Sequence, residues 1–222
     1  MSTVVEFLKA FNRKERFFLV GHALGNPDFN LSEKFRYDLE TALKVRVPQD
    51  AFVAMDYHLT WIYAAVALGS EGFDASSPKA IPAQDNASRI IVRNQEDVDL
   101  LAAFEDAGTT HIVILEAKGV TGWTNSQMAS KAQRLGEIFG HDGHRVPNVV
   151  PHFALISPRE SKLLKPSEWP SWMAEGGKVP WLALPIPSGL LRVSQSDASG
   201  RPLRDGSHWA VVAERGPDLV EE

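Results

Sequence analysis

Residues 111–119 hold the side chains best suited to chemistry in this chain, a carboxylate and an ammonium two positions apart at the end of an apolar run. Side chains alternate between the two faces of a β-strand, so Glu116 and Lys118 would point the same way, about 6.6 Å apart along the strand. The apolar residues 112–115 would alternate between the same two faces. A strand that is apolar on both sides and ends in a charged pair predicts a site at the edge of a core.

Two further carboxylates lie just upstream, at Asp97 and Asp99. In a strand they would share one face, and the residues predicted for the opposite, apolar face are Val98, Leu100, Ala102 and Phe104. The turn-rich residues 105–110 include Gly108, so the two runs predict an antiparallel hairpin. That hairpin would bring Asp99 beside Glu116 and Lys118.

A helix over residues 95–106 is the alternative for the upstream run, with Asn94 as its cap and the acids in its first turn. Its apolar stripe is short and ends at Glu105, so we favour the strand.

Oxygen ligands are the main chemical feature of the predicted hairpin. The carboxylates of Asp99 and Glu116, with the backbone carbonyl of Ala117, form a hard oxygen site suited to Mg²⁺ or Mn²⁺. The ammonium of Lys118 could orient a water molecule or stabilise charge on a phosphate.

The segment Asp97-Val-Asp99-Leu-Leu-Ala, a turn, and Ile-Val-Ile-Leu-Glu116-Ala-Lys118 resemble the signature of the PD-(D/E)XK superfamily of nucleases. The resemblance covers roughly residues 30–157, and no proline precedes the aspartate here. It implies that Asp99 and Glu116 bind the metal and that Lys118 assists the attacking water. It also implies a restriction-endonuclease-like core of α/β or α+β class, with a mixed central sheet flanked by helices, and DNA as the substrate.

Four other residues are supporting candidates under this resemblance. Asp97 or Glu40 could lie in the second shell of the metal or help to hold a second metal. Glu40 is on a predicted helix over residues 31–44. Gln127 lies on a predicted helix over 125–139, where family members often place a glutamine, although Thr124-x-x-Gln127 also has capping-box spacing. Lys131 on the same helix could contact phosphate from an exposed face, although a solvated face alone also explains it.

The rest of the chain supplies elements around this hairpin. We predict a strand leading into a helix capped by Asp56 within residues 51–68, a strand over 88–93 and another over 148–156. Residues 12–15 have capping-box spacing for an early helix. We place the nuclease-like core in residues 1–157, and a C-terminal extension rich in proline and tryptophan in 158–222, packed on the core. A hairpin of residues 190–195 and 208–213 closes the chain.

The composition bounds the function classes. The 222 residues are 44% apolar and 23% charged, which suffices for a sizeable core, and the net charge of −5 argues against indiscriminate polyanion binding. The absence of cysteine excludes disulfides and thiolate metal sites, and no signal peptide or run of 18 apolar residues is visible. We therefore expect a cytoplasmic protein without a membrane span, compatible with a homodimer. The alternatives to a nuclease are a non-catalytic binding or assembly module and a hydrolase of another phosphate ester.

Overall fold

A computed structural model of the chain describes residues 1–11, 15–92, 96–119 and 123–213. Its α-helices are α1 (Val4–Ala10), α2 (Glu15–Ala23), α3 (Glu33–Leu43), α4 (Leu59–Ser70) and α5 (Asn125–Phe139). Its strands are β1 (Phe52–His58), β2 (Asp97–Asp106), β3 (Thr109–Ala117), β4 (Val149–Ser157), β5 (Trp181–Ala183), β6 (Leu191–Ser196) and β7 (His208–Ala213). The capping residues predicted at 12–14 and at Asn94 lie outside the described ranges.

Strands β1 to β5 form one mixed sheet in chain order. The β1–β2 and β2–β3 pairs are antiparallel, and the β3–β4 and β4–β5 pairs are parallel. Helix α5 connects β3 to β4, because parallel neighbours need a long crossover. The prediction of a mixed α/β fold with a flanked central sheet is confirmed.

The hairpin that carries the predicted site is formed by β2 and β3. Leu100 pairs with Leu115 at one end and Asp106 with Thr109 at the other, so the strand interpretation of the acidic run is correct and the helix is wrong. The two-residue turn holds Ala107 at φ 48° and Gly108 at φ 82°. Positive φ at both positions is the conformation of a type I′ turn, whose twist matches that of the flanking strands.

That turn geometry makes a testable prediction, because Asn-Gly suits a type I′ turn better than Ala-Gly. We expect Ala107→Asn to raise the free energy of unfolding by about 0.5–1 kcal/mol, by relieving the alanine of an unfavourable left-handed conformation. Urea unfolding followed by circular dichroism measures the change. An unchanged or lower midpoint would contradict the turn assignment.

The two faces of the sheet bury separate cores. On the site face, Ile112 and Ile114 pack with residues of α1, α4 and α5, and on the opposite face Val113 and Leu115 pack with Leu39 of α3. This alternation confirms the faces predicted for β3. One residue of β2 departs from the prediction: Val98 lies in the site-face core, whereas Leu100, Ala102 and Phe104 contribute to the opposite one. The regular alternation of β2 is therefore broken at its start, next to Asp99.

The junction of β1 and α4 differs from the sequence prediction in its cap. Helix α4 follows the strand directly, with His58 at the N-cap position and no side-chain capping bond. Asp56 instead lies inside β1 at φ 46°, and one carboxylate oxygen accepts a hydrogen bond of 3.0 Å from Arg16 Nη2. The predicted cap at Asp56 is wrong, because the strand continues two residues further and turns the aspartate toward α2.

The strand predicted over residues 88–93 is also wrong for the part that the structure describes. The side chain of Asn86 donates to the Ile91 carbonyl at 2.9 Å and accepts from the Ile91 amide at 3.1 Å. Arg89 between them has φ 53°, a left-handed conformation that an extended strand does not contain. Hydrogen bonds from the Asn86 side chain to the backbone therefore take the place of strand pairing in this segment.

The region after residue 157 packs on the sheet and adds to it. Trp169 and Met173 are buried in the site-face core, and Trp172 donates from Nε1 to the Gly140 carbonyl at 3.0 Å. Strand β5 within this region pairs with β4, so the central sheet extends beyond the predicted boundary at 157. Strands β6 and β7 form the predicted closing hairpin as a separate two-stranded sheet. No helix in the described ranges is both long and apolar enough to cross a membrane.

Candidate active site

A cleft of about 490 Å³ opens where β2 begins and β3 ends, beneath the first turns of α5. Its lining contains all three residues of the predicted catalytic set, Asp99, Glu116 and Lys118, as well as Ala117. The other lining residues are Glu96, Trp123, Gln127, Met128, Ser130 and Lys131. The sequence-predicted residues are thus brought together on the site face of the sheet.

The hairpin places the two carboxylates at the same end. The paired register ends at Leu100 and Leu115, one residue from Asp99 and from Glu116. Asp99 Oδ2 accepts the backbone N–H of Ala117 at 2.7 Å. This bond fixes the Asp99 carboxylate at the end of β3, beside the proposed ligand carbonyl of Ala117.

Glu116 is buried, with 6% of its surface exposed, and its Oε1 accepts a short hydrogen bond from the Lys131 ammonium. Burial raises the pKa of the Glu116 carboxyl to about 7, and the negative charge of Asp99 adds to this rise. The Lys131 ammonium and the backbone N–H of Asp99 act in the opposite direction and lower that pKa. Desolvation is the larger effect, so Glu116 exchanges its proton near neutral pH.

Lys131 therefore differs from the prediction of an exposed phosphate contact. It is 9% exposed, and besides Glu116 it donates to the backbone carbonyl of Asp97 at 2.7 Å. The sequence did contain a signal for this position. Lys131 follows Met128 by three residues and precedes Leu135 by four, so it belongs to the apolar stripe that α5 turns toward the sheet.

Lys118 and Gln127 also line the cleft. Lys118 is half-buried, and its backbone N–H donates to the Ile156 carbonyl at 2.9 Å, which anchors the residue to β4. The Gln127 backbone N–H donates to Thr124 Oγ1 at 3.3 Å, which confirms Thr124 as the cap of α5. The cap uses only the backbone of Gln127, and the residue also lines the cleft.

Two supporting candidates do not line the cleft. The Asp97 carboxylate contacts Nδ1 of His58 on β1. Glu40 is exposed on α3, a helix that packs on the opposite face of the sheet through Leu39. A ligand role for Glu40 would require it to reach through the sheet.

Glu96 and Trp123 are cleft residues that the sequence reasoning missed. Burial raises the pKa of the Glu96 carboxyl, and the nearby cations Lys131 and Arg134 oppose that rise. Trp123 is 6% exposed, and its Nε1 has no hydrogen-bond acceptor among the described residues. Glu96 directly precedes β2, and Trp123 directly precedes the capping residue of α5. The hydrophobic periodicity of a strand or a helix therefore does not extend to either residue.

The donor set fits a hard divalent cation through oxygen atoms alone. Mg²⁺ is commonly held by one or two carboxylates, with water and substrate phosphate completing its octahedron. Asp99 and Glu116 supply that number of carboxylates. Within the described ranges, no three His, Asp or Glu side chains are grouped closely enough to hold a metal on their own. The arrangement suits a cation shared with a substrate better than a permanently bound one.

No family model, no curated protein and no solved structure matches this chain. The resemblance to PD-(D/E)XK nucleases therefore remains a prediction from sequence. The assignment of the site depends on the geometry of the β2–β3 hairpin and α5.

Proposed function

We propose that this protein is a metal-dependent hydrolase of phosphodiester bonds, with DNA as its substrate. The observation that supports the proposal is the shared cleft of Asp99, Glu116 and Lys118, with Glu116 buried against α5. Two neighbouring carboxylates, one of them buried, need positive charge beside them; Lys131 supplies one such charge to Glu116, and a divalent cation would supply the rest. An open cleft of this size also leaves room for a phosphate between the two acids and the lysine.

The roles of the side chains follow from their positions. Asp99 and Glu116 would hold Mg²⁺ or Mn²⁺, with the Ala117 carbonyl as a further oxygen ligand. The bound cation would supply Lewis-acid stabilisation of the charge that develops on the phosphate. Lys118, anchored to β4 through its backbone, would orient the attacking water from the end of β3. Gln127 could donate a hydrogen bond to a phosphate oxygen.

The first test is cleavage of supercoiled, linear and single-stranded DNA by the purified protein with Mg²⁺, with Mn²⁺ and with EDTA. A small phosphodiester such as bis(p-nitrophenyl) phosphate in parallel covers the hydrolase of another ester. We expect cleavage with either metal and none with EDTA. Asp106→Asn, an exposed acid at the other end of the same hairpin, is the matched control and should cleave like the parent.

A non-catalytic binding or assembly module is the rival function, and one observation favours it. The Glu116 carboxylate is already neutralised by Lys131 within the fold, so this ion pair could serve only to stabilise the structure. Calorimetry with Mg²⁺ separates the two functions. A module of this kind would bind neither metal nor the small phosphodiester, whereas the proposed hydrolase binds Mg²⁺ through Asp99 and Glu116.

A further inference from the structure

The Lys131 ammonium lies against the carboxylate oxygen that a metal would need. Its Nζ contacts Glu116 Oε1 and donates at 2.7 Å to the Asp97 carbonyl, so it bridges the ends of β2 and β3 from α5. Both side chains of the pair are buried, at 9% and 6% exposure. A buried lysine held this way is unavailable as a surface contact to phosphate.

The neighbouring cation on the same helix does not share this position. Arg134 Nη2 donates to the Ile90 carbonyl at 3.1 Å, on the loop before β2. Lys118, the other lysine of the cleft, approaches from the end of β3. Lys131 is therefore the cation that touches Glu116 in the described part of the chain.

We propose that Lys131 is an internal cation that competes with the metal for Glu116. This inference rests on the proposed function, since it concerns the same two carboxylates. A divalent cation on Glu116 and an ammonium on the same oxygen repel each other strongly in a buried site, where water screens little. Metal binding therefore displaces Lys131 from Glu116 into the cleft, and the lysine lowers the affinity of the protein for free metal.

The competition gives the site a defined order of binding. Lys131 cancels one of the two ligand charges in the resting protein, so free Mg²⁺ meets a site of low net charge. A phosphodiester brings a negative charge of its own and completes the coordination sphere. The displaced ammonium then faces that phosphate across the cleft. Metal should consequently bind more tightly with substrate present than without it.

Calorimetric titration with Mg²⁺ alone tests the competition on the parent, Lys131→Met and Lys34→Met proteins. Methionine retains the length and packing of the lysine stem and removes its charge. We expect Lys131→Met to bind Mg²⁺ at least about tenfold more tightly than the parent, from the loss of one nearby positive charge. Lys34 pairs with Asp38 at 2.6 Å on the exposed surface of α3, so Lys34→Met is the matched control and should bind like the parent.

The outcomes separate this inference from the proposed function. If Lys131→Met binds Mg²⁺ no more tightly than a parent that does bind it, the competition is wrong and the metal site stands. If neither protein binds Mg²⁺, both the competition and the metal-dependent function are wrong.

A second measurement uses the parent protein and so does not depend on a variant that folds. Acylation of lysine amines, quantified by mass spectrometry of peptides, should be slow at Lys131 without metal because the amine is buried. Saturating Mg²⁺ should accelerate it several-fold by displacing the amine, with Lys34 unchanged as an internal reference. Equal or slower labelling of Lys131 with Mg²⁺ would overturn the proposal.

Discussion

Replacing Glu116 with glutamine should reduce metal-dependent DNA cleavage by more than about 100-fold, because loss of a partner outside the metal's own ligands already costs 10–100-fold. Glutamine has the shape of glutamate and can still accept the Lys131 hydrogen bond through its amide oxygen. It lacks the charge that a hard cation requires. The loss would therefore come from the metal site, with the sheet left in place.

The experiment compares cleavage rates of the parent, Glu116→Gln and Asp106→Asn proteins at matched Mg²⁺ concentration. Circular dichroism should show the same secondary structure for all three, and calorimetry should show Mg²⁺ binding only for the parent and Asp106→Asn. Cleavage by Glu116→Gln at the parental rate would remove Glu116 from the metal site. The proposed metal site would then lack its buried carboxylate ligand.

Mg²⁺ affinity should fall about tenfold for each pH unit below 7, because the metal binds ionised Glu116 and must compete with its proton. Burial holds the pKa of this carboxyl at about 7, well above its ordinary 4.5. From pH 8 to pH 5 the expected loss is about 100-fold, given this pKa. Calorimetric titration across that range measures it, and an affinity that stays flat down to pH 5 would contradict the raised pKa.

The same shift has a consequence for stability without metal. A carboxyl whose pKa is raised by folding favours the folded state while it is protonated, so its contribution is present below pH 4.5 and is lost as pH rises through 7. The size of that loss is about 3 kcal/mol. His152 acts in the opposite direction: burial lowers its pKa to about 4, and its contribution is lost as pH falls from 6.5 through 4.

The difference in free energy of unfolding between the parent and Glu116→Gln isolates the Glu116 contribution, because His152 is common to both proteins. We expect this difference to shift against the parent as pH rises from 4.5 to 7. Saturating Mg²⁺ at pH 8 should reverse the shift for the parent alone, since only the ionised glutamate binds the cation. A difference that does not vary with pH would place the Glu116 pKa outside this range.

The local pattern of the sequence was sufficient for the hairpin and for α5. Alternation along residues 112–116 placed Glu116 on the face that the structure gives it, and a turn containing Gly108 joined the two strands. Helix α5 has the predicted bounds, since Thr124 supplies a cap and an apolar stripe follows. These features depend on neighbours in the chain, which is why a single sequence determines them.

Specific contacts account for the errors: the Asn86 contact spans only five residues, whereas the other two join distant segments. The side chain of Asn86 replaces the strand predicted from Ser88, and Arg16 of α2 takes the carboxylate of Asp56 that was predicted to cap α4. Strand β5 joins the sheet from a proline-rich region whose pattern gave no strand signal. None of these contacts produces a hydrophobic pattern in the sequence from which it could be predicted.

The sequence by itself predicted that Asp99, Glu116 and Lys118 share the end of one hairpin, because strand alternation and a tight turn favour those positions, but it also placed Asp97 there, which does not line the cleft. Only the tertiary structure decided that Lys131 lies against Glu116 and that Glu96 and Trp123 complete the cleft wall. The physical reason is the packing of α5 on the sheet. Where a helix rests, and which residue of its buried stripe meets a carboxylate, depends on the whole site-face core, and burial there sets the pKa of Glu116.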